Sequence, residues 1–103
     1  MDQLIYEITG TRIPLRKSVK LRKDGTLYLA STINEIGAVV SINHTTKTIL
    51  DLCNGINTIK DIYVKIISMY IDVDSTDLEN IKYDVYKNIR QLESLNYISV
   101  NIN

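Results

Sequence analysis

The sequence predicts an α+β fold, a three-stranded antiparallel β-sheet followed by three α-helices in a winged helix-turn-helix-like arrangement. Three observations carry this expectation. Apolar residues alternate at period two around Asp24-Gly25, a branched run Ala38-Val39-Val40-Ser41-Ile42 follows, and beyond Thr45 the apolar spacing changes to three and four. At 103 residues, 45% of them hydrophobic, the chain has apolar surface for one core and no room for a second domain, so residues 1–103 read as one unit.

The elements follow in order. Pro14, the only proline, has a fixed φ that suits an extended lead-in. From Ser18 to Ala30, Val19 and Leu21 precede Asp24-Gly25 and Leu27 and Leu29 follow it, which is the pattern of a β-hairpin. After a loop over Ser31–Glu35 and the break at Gly37, residues 38–42 form the third strand. Thr45 or Thr46 then caps a short helix carrying Ile49, Leu50, Leu52 and Cys53, ending near Cys53 with Asn54-Gly55 as a left-handed stop. Thr58 and Asp61 make an acidic capping box for a second helix through Ile59, Ile62, Ile66 and Met69 to about Tyr70. Thr76 and Glu79 pair at the head of the longest helix, with an apolar stripe of Leu78, Ile81, Val85, Ile89, Leu92 and Leu95. Asn96 tolerates the left-handed turn after it, and Tyr97–Val100 is a short extended tail that packs back on the fold.

Charge and composition restrict the function. Twelve basic residues balance twelve acidic ones, which removes the bulk attraction that non-specific nucleic-acid binding needs. The distribution is uneven, with Arg12, Arg16, Lys17, Lys20, Arg22 and Lys23 early and Asp72, Asp74, Asp77, Glu79 and Asp84 late. These are either solvated faces or a basic site for an acidic partner. Seven tyrosines without Trp or Phe leave the core to Ile, Leu and Val, with tyrosine rings at margins that suit a binding surface. Cys53 is the only cysteine, so neither an intramolecular disulfide nor a cysteine zinc cluster is expected. The acidic residues near the N-terminus and the lack of a long apolar run predict a cytoplasmic protein with no membrane association.

Catalysis needs converging groups, and the sequence offers none. His44 is the single histidine and stands at a strand-to-helix junction, while Cys53 lies on an apolar helix side with no base beside it. No GxGxxG, P-loop or GxSxG run occurs. The expectation is a non-enzymatic binding module with no cofactor and no metal.

Several runs together resemble one family. Val40-Ser41-Ile42-Asn43, the Thr45-Thr46 cap, Ile49-Leu50-Asp51-Leu52-Cys53-Asn54-Gly55, Thr58-Ile59-Lys60-Asp61-Ile62, and Asp84-Val85 followed by Leu92 and Leu95 resemble the PqqD-like family. Its members are RiPP recognition elements, which bind leader segments of ribosomally made precursor peptides and deliver them to modifying enzymes. The resemblance spans about residues 13–100, the expected core of the domain. Asn54-Gly55 stands where the family often has Asp-Gly, and Asn96 where it has Gly; both replacements keep turn-compatible residues.

The resemblance implies that the leader adds as a further strand along the third strand, in the groove beside the third helix. Here the corresponding edge is Ala38, Val39, Val40, Ser41, Ile42 and Asn43, and the groove wall is the outward part of the helix from Leu78 to Asn96. On that helix Tyr83, Tyr86, Lys87 and Arg90 leave the apolar stripe, with Tyr83 next to Tyr86 and Lys87, and Tyr86 next to Arg90. Lys87 and Arg90 are expected to pair with a leader carboxylate, and the tyrosines to cover an apolar leader side chain. The implied partners are a precursor leader peptide and a peptide-modifying enzyme, a radical SAM protein or another RiPP maturase, with the chain a monomer or an edge-paired or strand-exchanged dimer.

Two rivals share the fold pattern. One is a winged-helix DNA-binding regulator, disfavoured because Asp77, Glu79 and Asp84 on the third helix repel phosphate. The other is a structural adaptor subunit of an enzyme complex, distinguished by whether an extended peptide pairs with the third strand.

Overall fold

A computed structural model describes residues 10–32, 39–70 and 74–101. In chain order it contains β1 (Ile13–Arg16), β2 (Val19–Asp24), β3 (Leu27–Thr32), β4 (Val39–Ile42), α1 (His44–Leu52), α2 (Ile59–Ile67), α3 (Ser75–Ser94) and β5 (Ile98–Asn101). The strands lie in antiparallel sheets, and the three helices follow the sheet formed by β2, β3 and β4.

The expected hairpin is β2–β3, with Asp24 opposite Leu27 and Gly25-Thr26 between them. The turn thus centres one residue later than Asp24-Gly25, and Asp24 ends the ladder. Gly25 takes φ +64° as the first central residue, the position where type II′ turns take glycine. No atom lies within 4 Å of an added Cβ, so backbone angle alone favours glycine there. β4 joins β3 with Tyr28 opposite Ile42 and Ser31 opposite Val39, giving the order β2-β3-β4. Val19, Ala30 and Ile42 turn one face of this sheet toward Ile49, Leu50, Ile62, Val85, Ile89 and Leu92, which form the core.

Two of the three helix caps differ from expectation. Thr58 and Asp61 form the predicted reciprocal box: the Asp61 amide donates to Thr58 Oγ1 at 3.1 Å and the Thr58 amide to Asp61 Oδ2 at 2.9 Å. α1, however, is capped by Asn43, whose Oδ1 accepts from the Thr46 amide at 2.8 Å. α3 is capped by Asp74, whose Oδ1 accepts from the Asp77 amide at 2.8 Å. In each case the hydroxyl residues Thr45-Thr46 and Ser75-Thr76 lie inside the first turn. The Asx residue upstream wins because its longer side chain is at least as good an acceptor for that turn. α2 ends at Ile67 rather than near Tyr70, leaving Met69 61% exposed and outside the apolar stripe.

α3 ends as a Schellman motif. Asn96 takes φ +66°, its amide donates to Glu93 O at 2.9 Å, and the Tyr97 amide donates to Leu92 O at 2.9 Å. The chain then enters β5, which pairs antiparallel with β1, Pro14 opposite Val100. The lead-in and the tail, expected as separate extended pieces, therefore form a two-stranded sheet with each other. The loop after α1 closes the other side of β1: the Arg16 amide donates to Cys53 O at 2.7 Å, and the Gly55 amide to Pro14 O at 3.0 Å. Gly55 has φ +79°, and an added Cβ would stand 3.0 Å from Leu15 Cδ1. Its left-handed geometry thus serves the approach to β1, two residues beyond the cap residue Cys53.

Candidate functional site

Among the described residues both outer strands of the three-stranded sheet have one neighbour, but their side chains differ. β2 reads Val-Lys-Leu-Arg-Lys-Asp, and its exposed Lys20, Arg22, Lys23 and Asp24 are the kind of residues that block pairing with a further strand. β4 reads Val-Val-Ser-Ile and carries no charge. Ile42 is buried and Val40 half-buried on the core side, which anchors β4, while Val39 is 59% exposed. Among the described residues no strand pairs with the far edge of β4. Ala38, assigned to this edge from the sequence, lies outside the described residues. Asn43 belongs to the helix start rather than the strand, since its side chain caps α1.

A cleft of about 260 Å³ opens where β4 runs into α1. Ile66 of α2 and Ile81 and Val85 of α3 supply apolar lining, and Asn43, Asp84 and Asn88 supply polar lining, with Tyr70 beside them. A second cavity of about 240 Å³, lined by His44, Thr45, Thr48, Ile66, Met69 and Tyr70, shares three of these residues and extends the groove along α1.

Asn88 sets the relation between α1 and α3. Thr46 Oγ1, in a buried residue, donates to Asn88 Oδ1, and Asn88 Nδ2 donates to the Asp84 carbonyl at 2.8 Å. This amide satisfies a buried hydroxyl that would otherwise carry a desolvation cost of about 1–3 kcal/mol. Sequence reasoning missed Asn88, Asp84 and Thr46 as a unit. A signal was present: Ile81, Val85, Asn88, Leu92 and Leu95 recur at four- and three-residue spacing, with one polar member in an apolar row.

The four helix residues singled out earlier form two adjacent cation–aromatic pairs. Lys87 Nζ stands 5.1 Å from the Tyr83 ring centre, and Arg90 Cζ stands 5.8 Å from that of Tyr86. They do not share one wall. Tyr86 and Arg90 line a cavity of about 370 Å³ with Arg12, Ile59 and Val100, on the flank of α3 that meets β5 and the start of α2. Asp84 and Asn88 line the opposite flank, beside the end of β4. Tyr83 and Lys87 are exposed between the two.

The remaining polar chemistry is structural. Asp51 bridges β1 to α1, accepting from Arg16 at 3.1 Å and Lys47 at 2.6 Å, and this contact raises the Lys47 pKa. Burial pushes the Cys53 thiol up to about 12, and its Sγ lies 3.1 Å from Ile49 O, so it is a packed thiol rather than a thiolate nucleophile. Among the described residues, no group of three or more His, Cys, Asp or Glu is placed to hold a metal ion, and no helix is long and apolar enough to cross a membrane.

No protein-family model, no curated protein and no solved structure matches this chain.

Proposed function

We propose that this chain is a cytoplasmic peptide-binding module with no catalytic activity of its own. It recognises the leader segment of a ribosomally made precursor by β-strand addition to β4 and presents it to a modifying enzyme, of the radical SAM or another RiPP-maturing class. The observation that carries this reading is the asymmetry of the sheet edges: β2 is charged along its length, whereas β4 is uncharged, anchored by Ile42 and followed by a cleft.

Magnitudes divide the work between edge and cleft. A strand as short as β4 offers an added peptide about four backbone hydrogen bonds, worth roughly 0.5–1.5 kcal/mol each. Association costs on the order of 4–15 kcal/mol in lost freedom, so the edge alone binds nothing tightly. Side-chain burial in the cleft must supply the remainder, and with it the choice of sequence.

The exposed cations Lys20, Arg22 and Lys23 on the hairpin favour a second reading, in which β2–β3 acts as the wing of a DNA binder. Fluorescence anisotropy separates the two. A labelled leader encoded beside this gene, an unrelated peptide and a random duplex are titrated with the full chain at physiological salt. Selective leader binding supports the recognition role; indifference to the leader with salt-sensitive duplex binding overturns it.

A further inference from the structure

The peptide-binding reading leaves open which peptides fit, and the groove beside β4 carries an answer that rests on that reading. Its floor is apolar, from Ile66, Ile81 and Val85. At about 260 Å³ it lies below the roughly 300–1,000 Å³ of pockets for drug-sized ligands, and suits a single large side chain.

Its charge is acidic. Asn43 Oδ1 accepts from the Thr46 amide, Asn88 Oδ1 from the Thr46 hydroxyl, and Asn88 Nδ2 donates to the Asp84 carbonyl; among the described residues neither side-chain amide donates to the Asp84 carboxylate. Asp84 forms no ion pair among the described residues. Lys87, one turn on, has its ammonium over the Tyr83 ring instead. Asp77, two turns before Asp84, lies on the same flank of α3 and is also exposed. Among the described residues no lysine or arginine lines the groove, and His44 lines its extension along α1. Arg90, the cation expected to meet a leader carboxylate, lines the cavity on the other flank.

We propose that the groove selects an extended peptide carrying a large aliphatic or aromatic side chain with a lysine or arginine two residues from it. In an added strand, alternate side chains share a face and stand about 6–7 Å apart. That spacing is close to the step on α3 from the floor residue Ile81 to Asp84, three residues on, helix neighbours whose Cβ atoms lie about 5–6 Å apart. The apolar side chain fills the cleft while the cation meets Asp84.

The test selects a random nonapeptide display library against the full chain, then measures the selected peptides by anisotropy and by amide exchange at β4. Enrichment of an apolar residue followed or preceded at two positions by Lys or Arg is the expected result. Asp84 is exposed, so its variants retain the fold. Asp84→Asn is expected to weaken these peptides about three- to fivefold, as for a partly solvated ion pair. Asp84→Lys is expected to weaken them about tenfold or more and to favour peptides with Glu at the same position. Enriched peptides that protect β4 but carry Asp or Glu, or that bind Asp84→Lys as tightly as the parent, overturn the charge assignment and leave strand addition standing. A library that yields no peptide protecting β4 overturns both.

Discussion

The Tyr97 hydroxyl donates a hydrogen bond to the Ala30 carbonyl at 3.1 Å, tying the turn after α3 to the middle strand of the sheet. Both residues are buried, so water cannot replace the bond. Tyr97→Phe is expected to cost about 1 kcal/mol, read as a lower urea midpoint with an unchanged slope. An unchanged midpoint would show that this contact does not hold the tail.

Asn96 supplies the left-handed residue of the α3 stop at φ +66°, and its Oδ1 accepts from the exposed Lys17 Nζ. Replacing it with Ala or with Gly loses the lysine contact equally, so the difference between the variants isolates the backbone. Asn96→Gly is expected to match or exceed the parent. Asn96→Ala should fall below Asn96→Gly by about 1 kcal/mol, roughly 4–8 °C in Tm for a domain of this size. Equal melting of the two variants contradicts the Schellman assignment.

Asp61 caps α2, and its hydrogen bonds with Thr58 hold its pKa below the ordinary 3.8. A lowered folded pKa adds stability above the unfolded value, and that contribution is lost as pH falls through the folded value. The stability gap between the parent and Asp61→Asn is therefore expected to be constant above about pH 5 and to close on acidification below 3.8. Thermal melts of both proteins across this range check the sign; a gap that widens in acid contradicts it.

Cys53 is fully buried, with its thiol pushed up to about 12. Labelling by a thiol reagent at pH 8 is expected to be slow in the native protein and to track global unfolding in urea. Rapid native labelling would mean that the loop between α1 and α2, hydrogen-bonded to β1, opens on its own.

Local chemistry made much of this fold legible. The hairpin followed from alternation and a glycine turn, α2 from its capping box, and the α3 stop from Asn96. The caps at Asn43 and Asp74 were hidden because Thr45-Thr46 and Ser75-Thr76 offer competing hydroxyls one to three residues later. Pairing of β1 with β5 has no local signature, since the two strands lie at opposite ends of the described chain and no turn joins them. The candidate site divides in the same way. Val39–Ile42 could be read as a strand, and the adjacency of Lys87 with Tyr83 and of Arg90 with Tyr86 followed from helical spacing. Which flank of α3 faces the end of β4 could not, because packing through Thr46 and Asn88 decides it.

Residue-resolved hydrogen exchange of the full chain, with and without a bound leader peptide, tests strand addition most directly. New protection is expected at outward-facing amides within Val39–Ile42, with little change in β2. Protection confined to the Lys20–Lys23 hairpin, or none at β4 while the peptide is bound, would contradict it.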